Sequence, residues 1–276
     1  MATAKRGRKK KRGSRSGGRN TAGREILHGR HVIEEALRAD RREFHGLFVR
    51  EGALAREWAP VLERARRRGL PVRELDSTGW ERIELLLGDS PDQGCVLEAG
   101  PLPILGGVQA LTEALPKGPE GNLVVAFDGV EDPQNVGSLA RVADAAGVAG
   151  LLLTERRSPP MSPALSRASS GAIEWQRVAR VTNLSRGLQA LKEEGFWVLA
   201  ADPTAEKTVF ELPDLHLGGN LVLVLGAEGK GLRPGVLAQV DHRARLPMLG
   251  QVHSLNVATA GAVLLYEVVR RRLAVE

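Results

Sequence analysis

Residues 122–141, NLVVAFDGVEDPQNVGSLAR, decide the fold. Five apolar residues in a row, 123–127, lack the alternation of a half-exposed strand and read as one buried on both faces. The polar stretch DGVEDPQNVGS that follows reads as a loop leading into a helix at 139–146. Downstream the pattern recurs. Strands fit 150–154, 197–201, 221–226 (LVLVLG) and 243–246, while helices fit 184–194, 234–239 and 258–273. Ser162 is placed to cap a further helix running to 169. Short apolar strands spaced by helices predict an α/β domain on a parallel sheet with both faces covered.

Upstream, residues 26–99 alternate more weakly. Helices fit 32–38, 54–68 and 80–87, and extended runs fit 47–50, 72–75 and 95–99, which describes a small α/β unit. Arg64, Arg66, Arg67 and Arg68 crowd the end of the second helix, where cations complement the helix dipole or meet a phosphate. Residues 100–121 hold four Pro and five Gly around one short apolar segment, a linker composition. No internal repeat stands out.

The length of 276 residues leaves room for one large or two medium domains, and 42% apolar residues supply a core. The net charge of +6 hides an asymmetry: residues 1–24 carry ten Lys or Arg and no acid, leaving 29 basic against 33 acidic residues in the remainder. A basic tail with no large apolar residue after Met1 is expected to be disordered and to attract polyanions by counterion release. It has neither the apolar run of a secretory signal nor the apolar helical face of a mitochondrial presequence, so a cytoplasmic protein is expected. No run approaches the roughly 18 apolar residues of a membrane span. Cys95, read as a core residue, is the only cysteine, so no internal disulfide can form, and no Cys/His cluster has metal-ligand spacing.

In open parallel sheets, ligands bind beyond the carboxyl ends of the strands. Three unusual loops lie at such ends: DGVEDPQNVGSLAR (128–141), GAEGKGL (226–232) and LPMLGQVHSLN (246–256). None is a GxGxxG dinucleotide turn, a Walker A loop or a GxSxG elbow. Their glycines imply tight turns and close backbone approach to a ligand without naming it.

Taken together and in order, NVGSLAR (135–141), LVLGAEGKGL (223–232) and PMLGQVHSLNVATAGAVLLYE (247–267) resemble the three motifs of the SpoU/TrmH RNA 2′-O-ribose methyltransferases. The resemblance spans 122–273, and residues 26–99 look like the small L30e-like domain that precedes the catalytic domain in some members. Within the family the sequence is most similar to the branch that methylates guanosine riboses in 23S rRNA. The resemblance implies a trefoil-knotted methyltransferase domain at 122–276, preceded by a basic tail at 1–24, an L30e-like RNA-binding domain at 25–99 and a linker at 100–121. It further implies S-adenosylmethionine as cofactor, held largely by backbone groups, a structured RNA substrate, and a homodimer paired through the knotted loops. No metal and no membrane are implied.

A ribose 2′-hydroxyl is a poor nucleophile, so methyl transfer needs alignment and either proton removal or charge stabilisation. The resemblance carries candidate catalytic roles onto Asn135, Arg141, Glu228, Ser254 and Asn256. Arg141 is assigned to electrostatics and positioning, because its pKa ill suits a base; the base stays open. Asn135 lies just before the expected helix, where Asn often only caps, and its family role is to orient the ribose or the arginine. Glu228 sits among glycines, where no turn needs a carboxylate, and could fix Arg141 or the ribose. Ser254 and Asn256 open the last helix, where capping and function can coexist. Gly226, Leu246, Met248 and Leu255 would line the cofactor pocket, and Ser169, Ser170 and Gly171 would contact substrate. His253 is either a base beside the site or an exposed loop residue. Two other functions fit less of this pattern: a tRNA ribose methyltransferase, and a non-catalytic rRNA-binding assembly factor on the same fold.

Overall fold

The computed structural model describes residues 23–52, 57–88, 93–213, 217–229 and 231–274. The expected disordered tail lies outside them, except for Gly23 and Arg24.

The small unit contains β1 (Glu25–His28), α1 (Arg30–Ala39), β2 (Phe44–Arg50), α2 (Ala59–Arg67), β3 (Val72–Leu75), α3 (Ser77–Leu87) and β4 (Cys95–Ala99). Its sheet runs β1-β4-β2-β3, with β4 antiparallel to both β1 and β2. The sequence reading missed β1, a four-residue strand whose inner residues Leu27 and His28 are buried. Cys95 is fully buried in this core, as expected, and burial pushes its thiol up to about 12. At the end of α2, Arg67 pairs with Glu63 and Arg68 with Asp40.

The large unit contains β5 (Leu105–Gly106), α4 (Val108–Ala114), β6 (Leu123–Asp128), α5 (Pro133–Ala145), β7 (Gly150–Thr154) and α6 (Pro163–Ala168). A 3-10 turn (Ala172–Glu174), β8 (Val178–Val181), α7 (Leu184–Glu193), β9 (Trp197–Ala201) and β10 (Leu221–Gly226) follow. The chain closes with α8 (Pro234–Leu237), β11 (His242–Ala244) and α9 (Val257–Leu273). The seven strands run β11-β9-β10-β6-β7-β8-β5, every adjacent pair parallel. The alternation of β6 explains the two-sided burial. Val125 and Phe127 pack with Leu139 of α5 and Leu264 and Val268 of α9. Val124 and Ala126 pack on the other face with Leu111 of α4 and Leu188 and Leu191 of α7.

Two expectations change. Residues 100–121, read as a linker, supply β5 and α4: β5 pairs with β8, and Val108, Leu111 and Leu115 enter the core. The first motif is helical earlier than expected. Asp132 caps α5 by accepting from Gln134 N at 2.8 Å, and Pro133 takes the first turn, where its missing N–H costs nothing. Asn135 therefore lies inside the helix and is not its cap. Ser162 does occupy the N-cap position of α6, but without a side-chain cap bond.

A buried polar network docks the small unit on the large one. The Arg42 guanidinium, 1% exposed, bonds both Glu174 oxygens at 2.7 and 3.0 Å, Glu25 at 2.6 Å and the Gly100 carbonyl at 2.9 Å. Ser166 Oγ donates to Glu174 at 2.7 Å. Arg41 adds bonds to the carbonyls of Glu174 and Gln176.

Candidate active site

The site forms where β6, β10 and β11 end. Asp128, buried at the end of β6, accepts from Arg233 N at 2.8 Å and Arg233 Nε at 2.6 Å. This pair ties the exit of β6 to the far side of the turn that follows β10. Sequence reasoning passed over Arg233, whose only signal was its place just after the glycine-rich turn. Within that turn Gly231 N bonds Ala227 O at 2.9 Å. Gly226 has no room for a side chain: a Cβ there would lie 2.6 Å from the carbonyl carbon of Gly231.

The turn presents Glu228. Its Oε1 accepts from Asn256 Nδ2 at 2.7 Å, Asn135 Nδ2 at 3.3 Å and Val257 N at 3.3 Å. Among the described residues these bonds leave Oε2 without a partner. Asn256 has two jobs. Its Oδ1 caps α9 by accepting from Ala258 N at 2.8 Å and Thr259 N at 3.4 Å, while its Nδ2 also donates to Asn135 Oδ1 at 2.8 Å. All three motifs thus meet in one cluster, each member fixing the next.

Beside this cluster lies a cavity of roughly 350 Å³. Gly226, Leu246, Met248 and Leu255 all line it, with Ser254, His253 and Glu228. Its lining is largely apolar, with Glu228 and Asp202 among the residues on it; the Asp202 carboxylate is engaged by Thr204 and Arg243. Burial alone would raise the Asp202 carboxyl, but bonds from Thr204 and Arg243 hold it below the usual carboxylate range. Apolar walls suit an adenine and the acidic Glu228 beside them suits a cationic centre. The implied cofactor, an adenosine whose methionine arm bears a sulfonium, an ammonium and a carboxylate group, fits a lining that is apolar for the most part and carries Glu228 and Arg245. Among the described residues no group of three His, Cys, Asp or Glu could hold a metal ion.

Arg141 is not part of this cluster. It lies six residues along α5 from Asn135, about 240° around the helix. Its side chain is exposed and Nη1 donates to Ser170 Oγ at 3.2 Å. The two residues line a different cavity, of roughly 560 Å³, at the junction with α1. The suggestion that Glu228 fixes Arg141 therefore has no support in the geometry. Ser169 is fully buried, and its hydroxyl donates to Ser166 O at 3.0 Å and accepts from Ile173 N at 3.2 Å, so it shapes the turn. Gly171 adopts φ 88°, and a Cβ there would lie 2.7 Å from Glu35 Cβ, so it serves the joint between the units. Of the three expected substrate contacts, Ser170 is the one bonded to Arg141.

Comparison with known proteins agrees with this arrangement. Residues 122–266 match the model of the SpoU rRNA Methylase family, more than half the chain. The chain belongs to that family. Residues 26–105 match a second model, RNA 2′-O ribose methyltransferase substrate binding. The chain is 36% identical to the 23S rRNA (guanosine-2′-O-)-methyltransferase RlmB of Pseudomonas aeruginosa, over 91% of this chain and 98% of that protein. Its fold is similar to a crystal structure of an RNA 2′-O ribose methyltransferase, with TM-score 0.71 and 29% identity over 91% of this chain and 90% of that one. The same fold is seen in the SpoU methyltransferase AviRb of Streptomyces viridochromogenes, with TM-score 0.74 and 24% identity over 92% of each chain. Family membership, like the fold, covers the small unit and the sheet together.

Proposed function

We propose that this chain methylates the 2′-hydroxyl of a guanosine ribose in large-subunit ribosomal RNA, using S-adenosylmethionine. The observation that carries the reading is the Asn135–Glu228–Asn256 cluster on the edge of the cavity lined by Gly226, Leu246, Met248 and Leu255. Bound there, the cofactor supplies an electrophilic methyl group. Glu228, fixed through Oε1, accepts the ribose hydroxyl through Oε2 and aligns it. Arg141 neutralises charge on the RNA next to the reacting ribose. Ribosomal over transfer RNA is supported by the relative that shares both units and is named for 23S rRNA. A cytoplasmic place of work is part of the same reading; among the described residues no helix is long and apolar enough to cross a membrane. The knotted threading of the C-terminal segment belongs to the same reading. The test is to offer labelled S-adenosylmethionine with unmodified 23S rRNA and tRNA transcripts separately. Label in 23S rRNA supports the proposal, and label in tRNA alone overturns the choice of substrate.

The cofactor half of the reading predicts that Gly226→Ala loses affinity. The new methyl would stand 2.6 Å from the Gly231 carbonyl carbon, so the turn that lines the cavity must shift, and if overpacking of this size, roughly 1–3 kcal/mol, is felt at the ligand, affinity falls by about five- to a hundredfold. Calorimetric titration with S-adenosylmethionine checks this; unchanged binding would remove the cofactor from this cavity.

A homodimer is also part of the proposal. Leu249, Val252, Val263 and Tyr266, on the third loop and α9, are 96%, 70%, 41% and 49% exposed, large apolar side chains on the two elements that also line the cavity. Since α5 turns Arg141 away from its own chain's cluster, pairing lets it serve the partner's. Mixing inactive Arg141→Ala and Glu228→Ala chains should then restore transfer through hybrid dimers. Failure to recover activity in exchanged mixtures contradicts a shared site.

A further inference from the structure

The cavity that holds Arg141 has a feature the proposed chemistry does not use. Trp58 and Trp80 are buried, whereas Trp197, which stacks near His242, and Trp175, directly after the buried 3-10 turn, are 45% and 40% exposed. Trp175 is nevertheless held in place. Its indole Nε1 donates to Glu35 Oε2 at 2.8 Å, and the other oxygen of the same carboxylate accepts from Arg38 Nη1 at 2.6 Å. The Arg38 guanidinium stands over the indole, 5.7 Å from the ring centroid. Glu35 and Arg38 come from α1 of the small unit and Trp175 from the large one, so the group is assembled by docking of the two. A packed core has no need of this arrangement: an accessible aromatic face and a planar cation, both aimed by one carboxylate. Asp144, the other acid on the cavity, accepts from Gln176 at 3.3 Å. His31, Arg38, Arg141 and Ser170 complete a wall that suits the sugar-phosphate chain of a nucleic acid.

We infer that Trp175 and Arg38, aimed by Glu35, form a stacking platform for an unpaired nucleobase of the RNA substrate, next to Arg141. This rests on the RNA methyltransferase reading. Single-stranded RNA is gripped by stacking bases on aromatic rings and guanidinium planes, while cations track the phosphates. Here the planar groups and Arg141 share one cavity, so a base on Trp175 belongs to a nucleotide near the one whose phosphate meets Arg141. Trp175 and Arg38 are positioning residues; neither takes part in bond making.

The test uses the full chain, an unmodified 23S rRNA transcript and three variants, Trp175→Ala, Trp175→Phe and Arg38→Ala. Trp175→Ala is expected to weaken transcript binding and raise KM for the transcript roughly tenfold, with S-adenosylmethionine affinity unchanged. Trp175→Phe, which keeps a stacking face and gives up the bond to Glu35, should recover most of that loss. Arg38→Ala should weaken binding and flatten its salt dependence. Binding and KM within twofold of wild type in Trp175→Ala would overturn the platform, as would a Phe variant no better than Ala. Failure of the underlying reading looks different. A wild-type chain that binds the transcript, loses binding in Trp175→Ala, yet transfers no methyl would sink the activity and support the platform. Equal transfer and binding by wild type and Trp175→Ala would keep the activity and sink the platform.

Discussion

Arg141→Ala should lower methyl transfer to RNA by roughly a hundred- to a thousandfold while leaving S-adenosylmethionine affinity nearly unchanged. The magnitude is that of removing one preorganised electrostatic group from a developing charge. The selectivity follows from position. Within its own chain Arg141 lines the cavity at the α1 junction, with Ser170, and the candidate cofactor cavity is lined by other residues; in the proposed dimer it meets the RNA at the partner's cluster and not the cofactor. Arg141→Lys should recover only part of the activity, because an ammonium cannot reproduce the planar fork of the guanidinium. Transfer kinetics paired with calorimetric cofactor titration check both halves. A variant that loses cofactor binding, or one that keeps full activity, contradicts the role given to Arg141.

The second large effect concerns the joint between the two units. Arg42→Met should destabilise the chain by about 3–5 kcal/mol, because it leaves the Glu174 carboxylate buried without its cation. Both side chains are 1% exposed. Burial works against the Arg42 charge, and the bonds from Glu174 and Glu25 more than offset it, so its pKa stands above the ordinary arginine value. At about 2–4 °C per kcal/mol for a chain of this size class, the melting temperature should fall by roughly 10 °C. Replacing Glu174 by Leu in the same chain should return part of the loss, since removing both partners abolishes the uncompensated charge. Differential scanning calorimetry measures both; a shift within a degree or two for Arg42→Met would show that the network does not hold the units together.

The parallel sheet was legible because β6, β7, β9 and β10 are uninterrupted apolar runs, a pattern that few other structures tolerate. α4 was missed for a physical reason. Val108, Leu111 and Leu115 do mark one helical face, but the surrounding Pro and Gly drew the reading toward a linker. Asp132 and Pro133 carry the start signal of α5, which moves Asn135 into the helix and turns it toward Glu228.

The site residues were legible only as three motifs in order. What joins them is tertiary: Asn256 bonding to Asn135 and Glu228 across 121 and 28 positions of sequence. Reading the helix from 139 leaves Arg141 with that cluster; with α5 starting at Pro133, helical periodicity turns Arg141 away from Asn135. No local pattern marks Trp175, whose partners Glu35 and Arg38 lie about 140 residues away in the other unit.

The most direct test of the central claim asks which atom receives the methyl group. Wild-type chain, S-adenosylmethionine and an unmodified 23S rRNA transcript are incubated, and the RNA is digested to nucleosides and analysed by mass spectrometry. The account predicts a single new product, 2′-O-methylguanosine, formed roughly a hundred- to a thousandfold more slowly when Arg141→Ala replaces wild type. A base-methylated nucleoside, or no methylated nucleoside from a chain that binds both cofactor and transcript, would contradict it.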